Sequence, residues 1–167
     1  MPLIQTSGQP SAGPAGGAAA RRKQMSLANV LLVDDEVPFL NAITRRLEKR
    51  ELKTATAESG PQALDMLAAD PDIEVVILDV KMPQMDGIET LGHIRNRFPL
   101  VEVIMLTGHA TVETGIMGMK LGAFDYLMKP CDIDVLVTKV TEAAAKKRGH
   151  EEKIIQARIK EITSRME

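Results

Sequence analysis

The chain has 167 residues, 44% apolar and 26% charged, with a formal net charge of -2. That is enough for one ordinary domain with tails, and the charge balance demands no polyanionic partner. A single cysteine, Cys131, excludes an internal disulfide and a multi-cysteine zinc site, and no run of 18 apolar residues offers a membrane span.

The first 25 residues are rich in Gly, Pro, Ala and Ser and end near the basic run Arg21, Arg22 and Lys23. They carry too little apolar matter to offset their chain entropy, so 1–25 is expected to be a disordered tail. The start lacks a basic region followed by a continuous apolar stretch. It therefore does not read as a secretory signal, and a cytoplasmic location without membrane attachment is expected.

From Asn29 the pattern changes. Residues 30–33 (VLLV), 74–80 (EVVILDV) and 101–106 (VEVIML) are continuous apolar runs, as in strands covered on both faces. Residues 52–56 and 123–128 are weaker strand candidates. Helical spacing lies between them, in Leu40, Ile43 and Leu47, then Ala63, Leu64, Leu67 and Ala68. Ser59 with Gln62, and Asp86 with Glu89, have the spacing of capping boxes. Ile116 and Met119 mark a shorter helix from near Thr111, and a last helix from near Asp132 is expected to bury Val135, Leu136 and Val140. Five strands alternating with helices imply parallel βαβ units.

The domain is expected over 26–145, with 146–167 as a helical extension. There Ile155, Ile159, Ile162 and Met166 make one apolar stripe at 4-3-4 spacing, while Gly149 weakens the helix. A stripe with no evident use inside the domain points to a homodimer or an absent output partner.

Open parallel sheets build their sites beyond the carboxyl ends of their strands. The first strand ends at Asp34, Asp35 and Glu36, the third at Asp79, and the fourth at Thr107 and Gly108; the fifth runs into Lys129 and Pro130. Taken singly, each has an ordinary reading as a cap, a turn or a solvated charge. Taken together they bring acids, a hydroxyl and an amine to one edge. Crowded carboxylates repel unless a hard cation such as magnesium sits among them. Asp79, at the core's edge, is placed to attack phosphorus; Thr107 could donate to a phosphoryl oxygen and Lys129 could neutralise another.

The motifs LLVDDE (31–36), VVILDVKMPQMDG (75–87), VIMLTGH (103–109) and GAFDYLMKP (122–130) resemble the receiver domain of bacterial two-component response regulators. The narrower likeness is to receivers attached to enhancer-binding transcription activators. The resemblance covers about residues 29–145. It implies an α/β doubly wound (βα)5 flavodoxin-like fold, strand order 2-1-3-4-5, here with an extended C-terminal helix.

It also implies a phosphorylation-controlled signalling switch, not an enzyme in its own right, although it takes part in its own phosphotransfer and in slow autodephosphorylation. Asp79 resembles the phosphoacceptor. Asp35 and Asp79 resemble direct magnesium ligands, joined by the backbone carbonyl of Lys81, with Asp34 supporting the ion through water and manganese as a substitute. Thr107 and Lys129 fall on the phosphate-sensing pair, and Tyr126 on the switch aromatic. Pro130 completes a lysine-proline pair whose peptide bond is commonly cis. The implied partner is a sensor histidine kinase or phosphotransfer protein, with a separate effector downstream. Only 22 residues follow Ala145 and no Walker motif or helix-turn-helix is found, so no direct DNA binding is expected from this chain.

Three rival readings fare worse. Aspartyl-nucleophile phosphatases commonly carry an acid two residues after the nucleophile, where this chain has Lys81. A nucleotide or flavin site would need GxGxxG or GxxxxGK[ST], and neither occurs. A purely structural domain would leave the acidic edge unused.

Overall fold

The computed structural model describes residues 26–166; the expectation for 1–25 lies outside them. Five strands alternate with five helices in chain order: β1 (Ala28–Val33), α1 (Val37–Lys49), β2 (Leu52–Ala57), α2 (Gly60–Ala69), β3 (Val75–Leu78), α3 (Gly87–Arg97), β4 (Glu102–Thr107), α4 (Val112–Lys120), β5 (Asp125–Met128) and α5 (Ile133–Arg165). The sheet is wholly parallel in the order β2-β1-β3-β4-β5. The register pairs Val33 with Ala57 and Leu78, Leu78 with Met105, and Thr107 with Met128, so the strand ends align along one edge.

The continuous apolar runs divide by the strand period of two. Leu31, Val33, Val76, Leu78, Val103 and Met105 face Leu64, Leu67, Leu91 and Ile94 of α2 and α3. Val30, Leu32, Val75, Ile77, Ile104 and Leu106 face Leu40 and Leu47 of α1 and Leu136, Val140, Ala143 and Ala144 of α5. Both faces are therefore covered, which is why these strands do not alternate with polar residues.

Several local expectations are corrected. Val135 is exposed, because the buried stripe Leu136, Val140, Ala143, Ala144 and Lys147 runs one residue further round the helix. Ala68 is likewise exposed. Ile116 and Met119 are exposed although their helix exists. α4 meets the domain through glycines instead: a methyl group at Gly118 would lie 3.6 Å from the Tyr126 ring, and one at Gly115 3.8 Å from it. The cap at Ser59 is present, its hydroxyl accepting from the Gln62 N–H, but Gln62 reaches back to Glu58 N–H and not to Ser59. Asp86 caps α3 by accepting from Glu89 N–H.

α5 runs unbroken for 33 residues through Gly149. Its contacts with the domain extend past Ala145. Arg148 donates to both oxygens of the buried Glu74, at 2.6 and 2.8 Å, and to the Leu27 carbonyl at 3.1 Å. Lys146 lies 3.7 Å from the buried Glu102, and Lys147 pairs with Glu151. Beyond this clamp Ile155, Ile159, Ile162 and Met166 are all exposed. Among the described residues no helix is long and apolar enough to cross a membrane.

Candidate functional site

The sheet ladder continues one residue past three strands, and each extra bond holds a candidate residue. Asp34 N–H donates to Ala57 O at 3.1 Å, Asp79 N–H to Val33 O at 3.0 Å, and Lys129 N–H to Thr107 O at 2.9 Å. The acids, the hydroxyl and the amine named from sequence are thus pinned by backbone to one edge of a rigid sheet. Asp34, Asp79 and Thr107 are buried, while Asp35 is exposed.

Asp34, Asp35 and Asp79 each offer a carboxylate oxygen within 4.8 Å of the others. Lys129 Nζ lies 2.5 Å from Asp34 Oδ2 and 4.0 Å from Asp79 Oδ2. The other Asp34 oxygen accepts from Glu36 N–H at 2.9 Å. Asp79 Oδ1 accepts from Val80 N–H at 2.8 Å. Burial holds the Asp79 carboxyl above the usual carboxylate range, and the Asp34 charge pushes the same way; Lys129, the Thr107 hydroxyl and the Val80 N–H oppose them. Three carboxylates thus meet a single ammonium. Hard oxygen donors converging with excess negative charge form a donor set that fits magnesium. Beside them a cleft of about 310 Å³ is lined by Asp35, Lys81, Met82 and Pro83.

Thr107 Oγ1 accepts from His109 N–H at 3.0 Å. Tyr126 is half-buried on the outer strand, its hydroxyl 2.7 Å from Thr114 Oγ1. The Lys129–Pro130 peptide is cis.

Three residues with roles here escaped the sequence reading. Gly87 begins α3 directly over the Asp79 backbone: a Cβ there would stand 1.9 Å from Asp79 O, while its N–H bonds Val80 O at 2.7 Å. The Asp-Gly pair at 86–87 was a usable signal for a turn, though not for so close an approach. Thr114 closes a capping box with Thr111, legible as two hydroxyl residues three apart. Phe39 holds its ring under the Lys129 ammonium, 3.9 Å from the ring centre, a long-range contact with no sequence signal.

The sheet order and the site at its carboxyl edge define a doubly wound receiver fold. The family described as the response regulator receiver domain matches residues 30–141, and the chain belongs to it. The chain is similar to an NtrX-like response regulator of Rickettsia bellii (strain RML369-C), 40% identical over 121 residues, covering 71% of this chain and 25% of that protein. It is also similar to the transcriptional regulatory protein ZraR of Escherichia coli (strain K12), 36% identical, covering 70% of this chain and 26% of that protein. These relatives are named as a response regulator and a transcriptional regulatory protein, in line with the resemblance to receivers of transcription regulators. The chain spans about a quarter of the length of the curated relatives it matches. A solved receiver domain from Clostridium thermocellum is 36% identical with a TM-score of 0.69, covering 72% of this chain and 97% of that one. As a receiver domain the chain is a phosphorylation-controlled signalling element and not a classical enzyme.

Proposed function

We propose that this chain accepts a phosphoryl group on Asp79 from a phosphohistidine of a sensor kinase or phosphotransfer protein. The observation that carries the reading is the meeting of Asp79 with Asp34, Asp35, Thr107 and Lys129 at one sheet edge. An Asp79 carboxylate oxygen attacks phosphorus; the P–O bond forms as the P–N bond to the partner's imidazole breaks. The imidazole leaves with the bond pair and takes up a proton from solvent. The Lys129 ammonium and Thr107 hydroxyl then hold phosphoryl oxygens.

Asp35 and Asp79 with the Lys81 carbonyl would hold magnesium, or manganese in its place. Asp34 would act through water, in keeping with both its oxygens being engaged by Glu36 N–H and Lys129. Bound there, the ion supplies charge neutralisation and alignment of the reacting oxygen with phosphorus. Hydrolysis of the acyl phosphate resets the switch slowly. Thr107 and Tyr126 carry the signal outward, toward a separate effector protein.

The unit is read as a cytoplasmic receiver over 26–145, with a tail at 1–25 and a helical extension at 146–167 that pairs two copies through Ile155, Ile159, Ile162 and Met166. DNA contact is not assigned to this chain. The test is intact-protein mass spectrometry with a phosphorylated kinase and magnesium. Wild type should gain one phosphoryl group and Asp79→Asn none; equal labelling of both would disprove the assignment.

A further inference from the structure

The Lys129 ammonium has three faces to satisfy, and the structure gives them three different partners. One meets Asp34 Oδ2 at 2.5 Å, one looks toward Asp79 Oδ2 at 4.0 Å, and one lies over the Phe39 ring, 3.9 Å from its centre. The lysine side chain is only 16% exposed. Its attraction to the ring is therefore little screened by water.

Phe39 is itself firmly placed. It sits in the first turn of α1, after Pro38, and packs half-buried against the core of that sheet face. A proline at the start of a helix presets the backbone there.

We infer that Phe39 is a positioning residue for phosphoryl transfer, holding the Lys129 ammonium where it can pass from Asp34 to a phosphoryl oxygen on Asp79. The inference rests on the phosphoryl-transfer reading above. The ring differs from the acids in one respect: it attracts the ammonium without neutralising it. A carboxylate at this place would compete with the arriving phosphoryl group, and an aliphatic side chain would leave Lys129 to the acids, with the nearer Asp34 holding it most closely. The face of an aromatic ring is also a broad well, effective out to roughly 6 Å from its centre, so the ammonium can shift toward Asp79 without leaving it.

Two measurements test this. Ring-current shifts of the Lys129 ε-methylene protons report the stacking itself, with no ligand present; they should be displaced upfield in wild type and return to ordinary values in Phe39→Leu. Titration with beryllofluoride and magnesium reports the phosphoryl-bound state. Phe39→Leu should weaken binding about three- to ten-fold, and Phe39→Trp should match or exceed wild type. Phenylalanines bearing successively more ring fluorines, nearly constant in size, should weaken it stepwise. A packing role alone would give no such gradient, and a flat fluorine series overturns the inference. Unshifted wild-type methylene protons would also overturn it. Stacked protons in a wild type that binds no beryllofluoride would instead remove the phosphoryl-transfer reading, and with it any positioning role for Phe39.

Discussion

The Tyr126 hydroxyl lies 2.7 Å from Thr114 Oγ1, and Thr114 is also the residue that closes the cap of α4. Its Oγ1 lies 2.9 Å from Thr111 Oγ1 and 3.1 Å from both the N–H and the carbonyl oxygen of Thr111. A hydroxyl offers one proton and two lone pairs, and this one serves the tyrosine and the cap at once. Movement of Tyr126 toward Thr107 therefore alters how the first turn of α4 is held.

Thr114→Val keeps the size and removes the shared hydroxyl. It should destabilise the fold by about 1 kcal/mol through the lost cap. Tyr126 is the chain's single tyrosine and there is no tryptophan, so intrinsic emission reads this position alone. In wild type, beryllofluoride with magnesium should change that emission. In Thr114→Val the ligand-free signal should already lie nearer the bound one. Identical ligand-free spectra would show that the hydroxyl contact does not restrain the ring.

Asp79→Asn should stabilise the protein at neutral pH in chelator, by on the order of 1 kcal/mol. The folded pKa of Asp79 is raised, so the folded state binds its proton more tightly than the unfolded chain does. The ionised carboxylate thus opposes folding above that raised pKa, and the opposition vanishes as pH falls below the unfolded value. The gain from the substitution should shrink in the same window. Excess magnesium should narrow or reverse the order, since wild type gains from the ion and the variant lacks a ligand. Urea melts across pH, with and without magnesium, check both signs.

Lys129→Met removes the partner 2.5 Å from a buried Asp34. An uncompensated buried charge is expensive, and the partial exposure of Lys129 tempers it to about 2–3 kcal/mol at neutral pH. Magnesium should restore part of this loss. A variant as stable as wild type in chelator would mean that the Lys129 pairing does not stabilise the buried Asp34.

Gly87→Ala should be among the most damaging single changes, roughly 3 kcal/mol or more, because the added methyl overlaps the Asp79 carbonyl oxygen at 1.9 Å. Where the variant folds, its phosphorylation should fall as well, since the backbone that aims Asp79 must yield. Thermal melting and mass spectrometry separate the two effects.

Ending the chain after Arg148 removes Ile155, Ile159, Ile162 and Met166 while leaving the clamp on Glu74 in place. Light scattering should then shift toward monomer. An unchanged dimer would move the interface to the face bearing the exposed Val112, Ile116, Met117 and Met128.

The strands were readable because two covered faces write long apolar runs, as in Val75–Leu78. Asp34, Asp79 and Thr107 were readable because each follows such a run directly, and Lys129 because it follows the weaker strand at 123–128 just before Pro130. What failed to show was contact made by small or distant groups. α4 packs through Gly115 and Gly118, which carry no hydrophobic signal, so the spacing of Ile116 and Met119 marks the helix without marking its inner face. Phe39 reaches Lys129 across most of the sequence, and periodicity is silent on such pairs.

The clamp at Arg148 also sets a mechanical ratio. At 1.5 Å per residue, the part of α5 beyond it extends about 25 Å. A tilt of about 5° at the Glu74 anchor would carry the far end sideways by about 2 Å, on the order of a one-atom slip between packed side chains. The helix is thus a pointer whose pivot lies at the opposite edge of the sheet from Asp79, and any small change at that pivot is read out enlarged at its tip.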